Sequence, residues 1–168
     1  IKALSDIICT SSNAVQIINS LPEDEKIIFA PDRNLGNYIE SISGRRMLIW
    51  NGACHVHEAF SLERIVGIKY ARPEAIIIAH PECEKPVLIV AEFIGSTAAL
   101  LKFVKKDAGQ TYIVATESGI IHQMRKTCPE KEFIAAPPKD TTCGCSDCSF
   151  MKLNTVKKLY TALFYEKP

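Results

Sequence analysis

The chain has 168 residues, enough for one large domain or two small ones, and 47% of them are hydrophobic against 23% charged. Its formal charge is +1, with Lys and Arg scattered among the acids, which excludes a nucleic-acid stripe or a basic membrane-binding face. No apolar run approaches the about 20 residues that span a bilayer, no signal peptide opens the chain, and Ile1 is not an initiating Met. A cytoplasmic protein with an internal start is the expectation.

Taken in chain order, short apolar runs alternate with amphipathic segments. Strands are expected at residues 6–9, 26–30, 46–50, 75–79, 92–94, 112–115 and 132–135. Runs such as Ile76-Ile77-Ile78 and Met47-Leu48-Ile49-Trp50 are apolar without alternation, as in parallel strands covered on both faces. Helices are expected at 12–19, 35–43, 62–70, 98–105 and 119–126. The alternation predicts a layered α/β fold. At the far end, Asn154 suits an N-cap, and Val156, Leu159, Tyr160, Leu163 and Phe164 follow helical spacing. That apolar stripe requires a partner.

An internal repeat organises these elements. A shift of 85 residues lays Ser11-Ser12-Asn13 on Ser96-Thr97-Ala98 and Ala30-Pro31-Asp32 on Ala115-Thr116-Glu117. Leu48-Ile49 falls on Phe133-Ile134, and after one insertion in the second copy Cys54 corresponds to Cys148. The repeat also decides an ambiguous stretch: Val87–Val90 aligns with residues 3–5, ahead of a strand, and Pro86 suits a first helical turn. A short helix is therefore expected there. The units are expected at 1–54, 55–150 and, for the terminal helix, 151–168.

Ligands of parallel α/β sheets sit beyond the carboxyl ends of the strands, and nearly every reactive side chain falls there. Ser11 and Ser12 follow the first strand, Asp32 and Arg33 the second, and Cys54, His55 and His57 the third. His80 and Glu82 follow the fourth, Ser96 and Thr97 the fifth, Glu117 the sixth. The serine-rich segments at Ser11 and Ser96 suit either anion binding or plain N-capping. Glu82 is a candidate general base and His80 a candidate donor to an anionic substrate. Asp32, Arg33 and Glu117 read more readily as loop braces, and His122 and Cys128 as structural.

The chain has seven cysteines, an odd count that with no secretory signal argues against a disulfide framework. Cys54 with His57, and Cys145 with Cys148, would serve zinc; thiolates at Cys54 and Cys148 would equally serve an iron–sulfur cluster. If each copy of the repeat supplies one ligand, Cys54 and Cys148 are two of a set. A metal-free phosphosugar-binding enzyme using the serine-rich segments is the third reading.

At this point the ordered motifs resemble a known family. Ile8-Cys9-Thr10-Ser11-Ser12-Asn13-Ala14, Phe29-Ala30-Pro31-Asp32-Arg33-Asn34-Leu35-Gly36, His80-Pro81-Glu82-Cys83, Gly95-Ser96-Thr97 and Cys148-Ser149-Phe150-Met151-Lys152-Leu153-Asn154-Thr155 are similar to quinolinate synthase. The resemblance runs from Ile1 to about Leu163 and suggests the C-terminal two-thirds of such a protein. It implies three αβα units around a pseudo-threefold axis, of which the N-terminal one is absent here. It also implies condensation of iminoaspartate with dihydroxyacetone phosphate to quinolinate for NAD biosynthesis, releasing phosphate and water. The implied cofactor is a [4Fe-4S] cluster on three cysteines: Cys54, Cys148 and a third in the absent part. Substrate-binding roles carry over onto Ser11, His57, His80, Pro81, Glu82 and Thr97. The implied partners are the N-terminal part of the same protein and the enzyme that supplies iminoaspartate. Without that part, this chain alone is expected to be inactive.

Overall fold

In the computed structural model, which describes residues 2–140 and 146–166, the run Ile76-Ile77-Ile78-Ala79 becomes strand β3 at the centre of a sheet. The elements follow the order α1 (Ala14–Ser20), β1 (Ile28–Phe29), α2 (Arg33–Ser43), β2 (Leu48–Ile49), α3 (His55–Glu58) and α4 (Leu62–Ala71). Next come β3 (Ile76–Ala79), α5 (Lys85–Val90), β4 (Phe93–Ile94), α6 (Thr97–Lys106), β5 (Thr111–Ala115), α7 (Gly119–Thr127), β6 (Glu132–Ala135) and α8 (Val156–Tyr165). Short 3₁₀ turns lie at Lys2–Leu4 and Met151–Leu153. The fold is α/β with short parallel sheets.

The larger sheet has the order β4-β3-β5-β6, every neighbouring pair parallel. Side chains alternate along its strands, so Ile77, Ala79, Ile113 and Ala115 face one core with Val56, Phe60, Ile65 and Val87. Ile78, Tyr112 and Val114 face the other, with Leu100, Val104, Ile121 and Met124. Helices α3, α4 and α5 therefore cover one face, α6 and α7 the opposite one. This two-sided burial is why the strands read as unbroken apolar runs; all five residues of β5 are buried.

The smaller sheet pairs β1 with β2, also in parallel. Ala14 and Ile18 of α1 and Leu35 and Ile39 of α2 pack with Phe29 into a third core. Gly36 lets α2 lie close on the sheet, since a Cβ there would come within 3.0 Å of both Ile49 and Phe29. The other face is open: Ile28 is 71% exposed, Leu48 69% and Trp50 61%.

The strand pairing can be set against the 85-residue shift. Ile28 faces Leu48, and its counterpart Ile113 faces Ile134, one residue beyond the counterpart of Leu48. Part of the second copy's added length therefore precedes β6. The short helix assigned by the repeat is α5, with Pro in its first turn, and β4 follows it.

Two expectations need correction. Residues 6–9 form no strand and are mostly exposed. Their counterpart β4 owes its ladder to β3, and residues 6–9 have no such neighbour among the described residues. The cap of α8 is Thr155, whose hydroxyl accepts from the Lys158 amide at 3.2 Å; Asn154 closes the preceding 3₁₀ turn.

Candidate functional site

Because β3, β4, β5 and β6 are parallel, the loops after them share one rim. β3 ends at Ala79, and the next residue is tied to β5 by the His80 amide donating to the Ala115 carbonyl at 3.0 Å. The chain then turns tightly, with the Cys83 amide donating to the His80 carbonyl at 2.9 Å. This turn holds His80 and Pro81 buried and leaves Glu82 partly exposed. From the first unit comes Cys54, which precedes α3 and so sits one helical turn from His57.

These side chains converge. His57 Nδ1 lies 3.1 Å from Glu82 Oε2, and its Nε2 lies 3.0 Å from the Thr116 hydroxyl at the end of β5. The ring of His80 stacks on that of His57, centroids 4.7 Å apart and planes 20° from parallel. His80 Nε2 lies 3.0 Å from the Ser11 hydroxyl, which brings the first serine-rich segment to the same place. Thr97 opens α6 one strand further along the rim and is exposed there.

The two stacked imidazoles carry different charge. Burial opposes a charge on His57, but hydrogen bonding and charge from Cys54 and then Glu82 outweigh it and push its pKa up to about 9. Burial likewise opposes ionisation of Cys54 and Glu82, and His57 reverses the balance for both, holding each below its ordinary range. His80 is driven down to about 4, first by burial and then by the charge on His57. At neutral pH the cluster thus pairs an imidazolium at His57 with the Glu82 carboxylate, beside a Cys54 thiol that ionises more readily than usual, with a neutral imidazole stacked on it. The Glu82 amide donates to His80 Nδ1 at 3.3 Å, so His80 carries its proton on Nε2 and donates it to Ser11.

Cys54, His57 and Glu82 offer sulfur, nitrogen and oxygen donors that all lie within 4.8 Å of one another, a candidate metal site. His57 Nδ1 is buried and lacks a well-aligned hydrogen bond despite its closeness to Glu82. Once the ring gives up its Nδ1 proton, that nitrogen is placed among sulfur and oxygen donors to ligate a metal ion. Cys148 stands outside that group but near it: Cys54 and Cys148 pack on the same core, both partly exposed. The ring of His55, next to Cys54, meets Phe150 edge-on at 5.3 Å. Cys54 and Cys148 thus bring two thiols to neighbouring loops of the rim, a donor set suited to a thiolate-bound metal centre.

The other thiols differ. Cys83 is buried and donates to the Ala115 carbonyl at 3.2 Å, burial pushing its thiol up, and Cys128 is buried in the core against α6. Cys143 and Cys145, one of them a candidate zinc ligand, lie outside the described residues.

Sequence reasoning missed the use of three residues. Thr116 orients His57. Asp32, read as a loop brace, accepts the Cys54 amide at 2.6 Å, and Glu117 accepts the Cys148 amide at 3.4 Å. The 85-residue shift had already aligned Asp32 with Glu117 and was the available signal. Arg33 does brace its loop, its amide donating to the Gly52 carbonyl at 2.7 Å and its guanidinium pairing with Glu58 and Asn51.

The family model described as Quinolinate synthetase A protein matches residues 1–168. A protein of Synechococcus sp. named quinolinate synthase is 56% identical over the whole of this chain, which covers 52% of that relative. Proteins of the same name from Thermosynechococcus vestitus and Nostoc punctiforme are 56% and 57% identical over the full chain, covering 53% and 52% of their lengths. The chain thus spans about half the length of these curated relatives, less than the two-thirds expected from the motifs. It belongs to the quinolinate synthetase A family.

Proposed function

We propose that this chain forms part of a quinolinate synthase that condenses iminoaspartate with dihydroxyacetone phosphate, releasing phosphate and water, at the rim where His57, His80 and Glu82 meet. The observation that supports it most is the packing of an acid, a base and two donors around one point beside Cys54. Cys54 and Cys148 would hold a [4Fe-4S] cluster, completed by a thiolate from the rest of the longer protein. When bound, a cluster with one iron free of protein thiolate supplies a Lewis acid.

The chain's own groups divide the remaining work. Glu82 is ionised and takes a proton from substrate carbon as general base. His57, protonated and 3.1 Å away, stabilises that carboxylate and can return a proton to a departing oxygen. His80 is neutral and binds a substrate carboxylate through its Nε2–H, with the Ser11 hydroxyl beside it. Thr97, on the next loop of the rim, contributes to the anion-binding side, and Pro81 shapes the turn between His80 and Glu82. The exposed stripe of α8, comprising Val156, Leu159, Tyr160, Leu163 and Phe164, packs on the remaining half of the protein. Among the described residues no helix is long and apolar enough to cross a membrane.

A second reading is favoured by the close sulfur–nitrogen–oxygen donor group: Cys54, His57 and Glu82 would suit a zinc ion. One measurement separates the two. The full-length protein purified without oxygen is expected to contain iron and sulfide and to form quinolinate. Stoichiometric zinc with neither iron nor sulfide would overturn the cluster assignment in favour of the second reading.

A further inference from the structure

Both candidate cluster cysteines are held by their main chain, and by the same device. In the first unit Asp32 is buried, and its Oδ1 accepts the Asn34 and Leu35 amides at 2.7 and 3.0 Å, capping α2. Its Oδ2 faces the other way and accepts the Cys54 amide at 2.6 Å. In the second unit Glu117 Oε2 accepts the Gly119 amide at 2.9 Å at the start of α7. Its Oε1 accepts the Cys148 amide at 3.4 Å. Asp32 and Glu117 are counterparts under the 85-residue shift, as are Asn34 and Gly119. The space for the second clamp is also specific: a Cβ on Gly119 would lie 2.8 Å from Glu117 Oε2.

Resting on the reading that Cys54 and Cys148 are cluster ligands, we infer that Asp32 and Glu117 are positioning residues, one carboxylate per ligand, each locking the main chain of its cysteine to the start of a helix. A carboxylate has two oxygens, so it can cap a helix and hold a second amide at once; a serine caps as well but has a single oxygen. An anion accepting an amide also makes a stronger hydrogen bond than a neutral acceptor. The geometry ranks the two: the clamp at Cys54 is shorter and its Asp32 is buried, while that at Cys148 is longer and its Glu117 only half-buried.

The test uses the full-length protein, anaerobically loaded with iron and sulfide, and the variants Asp32→Ser and Glu117→Gln. Groups that orient metal ligands typically change metal affinity about 10–100-fold when removed. Asp32→Ser is expected to release iron to a chelator faster by about that factor, and Glu117→Gln by a few-fold. The electron paramagnetic resonance signal of the reduced cluster should shift in both. In the metal-free protein, amide exchange at Cys54 should accelerate in Asp32→Ser while that at Leu35 stays slow. A role confined to helix capping predicts parental release, spectrum and Cys54 exchange in Asp32→Ser, and that result overturns the inference. Should Asp32→Ser fail to fold, Glu117→Gln and Gly119→Ala decide it through release and Cys148 exchange. If the unaltered protein binds no iron and sulfide, the ligand reading itself fails, and amide exchange alone then judges the clamps.

Discussion

The first unit puts a two-stranded sheet against α1 and α2 and leaves Ile28, Leu48 and Trp50 open, whereas the second encloses four strands between two helical layers with β5 fully buried. Yet under the 85-residue shift read from the sequence, with its one insertion, their strands share polarity, and carboxylates and cysteines fall at matching positions. The difference teaches that rim chemistry needs only local geometry. A strand end, a turn and a helix start suffice to aim a side chain, even where the sheet beneath has just two strands. Stability is another matter, because it scales with apolar area removed from water, and there the units are unequal.

The largest expected effect sets the equivalent cysteines against each other. In the full-length protein Cys54→Ser and Cys148→Ser should each abolish bound iron and the brown absorbance, while Cys83→Ser and Cys128→Ser retain both. Full cluster retention in Cys148→Ser would remove the second copy from the ligand set.

Next comes the division of acid–base groups, which draws His57 from α3 and Glu82 from the turn after β3. Glu82→Gln keeps the shape and removes the basic carboxylate, so turnover should fall about 10²–10⁴-fold with iron content unchanged. Steady-state rates of a cluster-replete variant check this, and near-normal turnover would take the base role from Glu82.

A smaller effect tests the unequal cores. Leu100 is buried against the four-stranded sheet, and Leu100→Ala should cost about 2–5 kcal/mol in denaturant unfolding of this chain. Leu48→Ala, on the open face of the smaller sheet, should stay within about 0.5 kcal/mol. Comparable losses at the two positions would mean that the open face is covered.

The smallest effect is electrostatic and contrasts two rings 4.7 Å apart. In the metal-free protein His57 should keep both ring protons until the pH rises through about 9, whereas His80 should stay neutral until it falls through about 4. Raising the pH thus removes the positive charge that lowers the pKa of Cys54 and Glu82; lowering it places a second positive charge beside His57. Imidazole ¹⁵N shifts report both steps, and a shared midpoint near the ordinary histidine value would break the contrast.

How much of this was legible in the residues differs from element to element. Periodicity alone found β3 and β5 at the centre of the larger sheet, because burial on both faces leaves an unmistakable apolar run. It overcalled residues 6–9, since an apolar segment becomes a strand only with a neighbour to pair with. The short helix α5 was ambiguous by composition and was resolved by the repeat. Asn154 and Thr155 are both good caps, and only the backbone path chose between them.

The sequence by itself determined the α/β class and the loops on which reactive side chains would lie, because each depends on local spacing and strand polarity. Only the tertiary structure decided that His57 stacks on His80 and pairs with Glu82, that Ser11 reaches His80 across 69 positions of chain, and that Asp32 and Glu117 hold the two cysteines. Those contacts join residues far apart in the chain. Their charges follow from burial and from neighbours that no window of sequence contains.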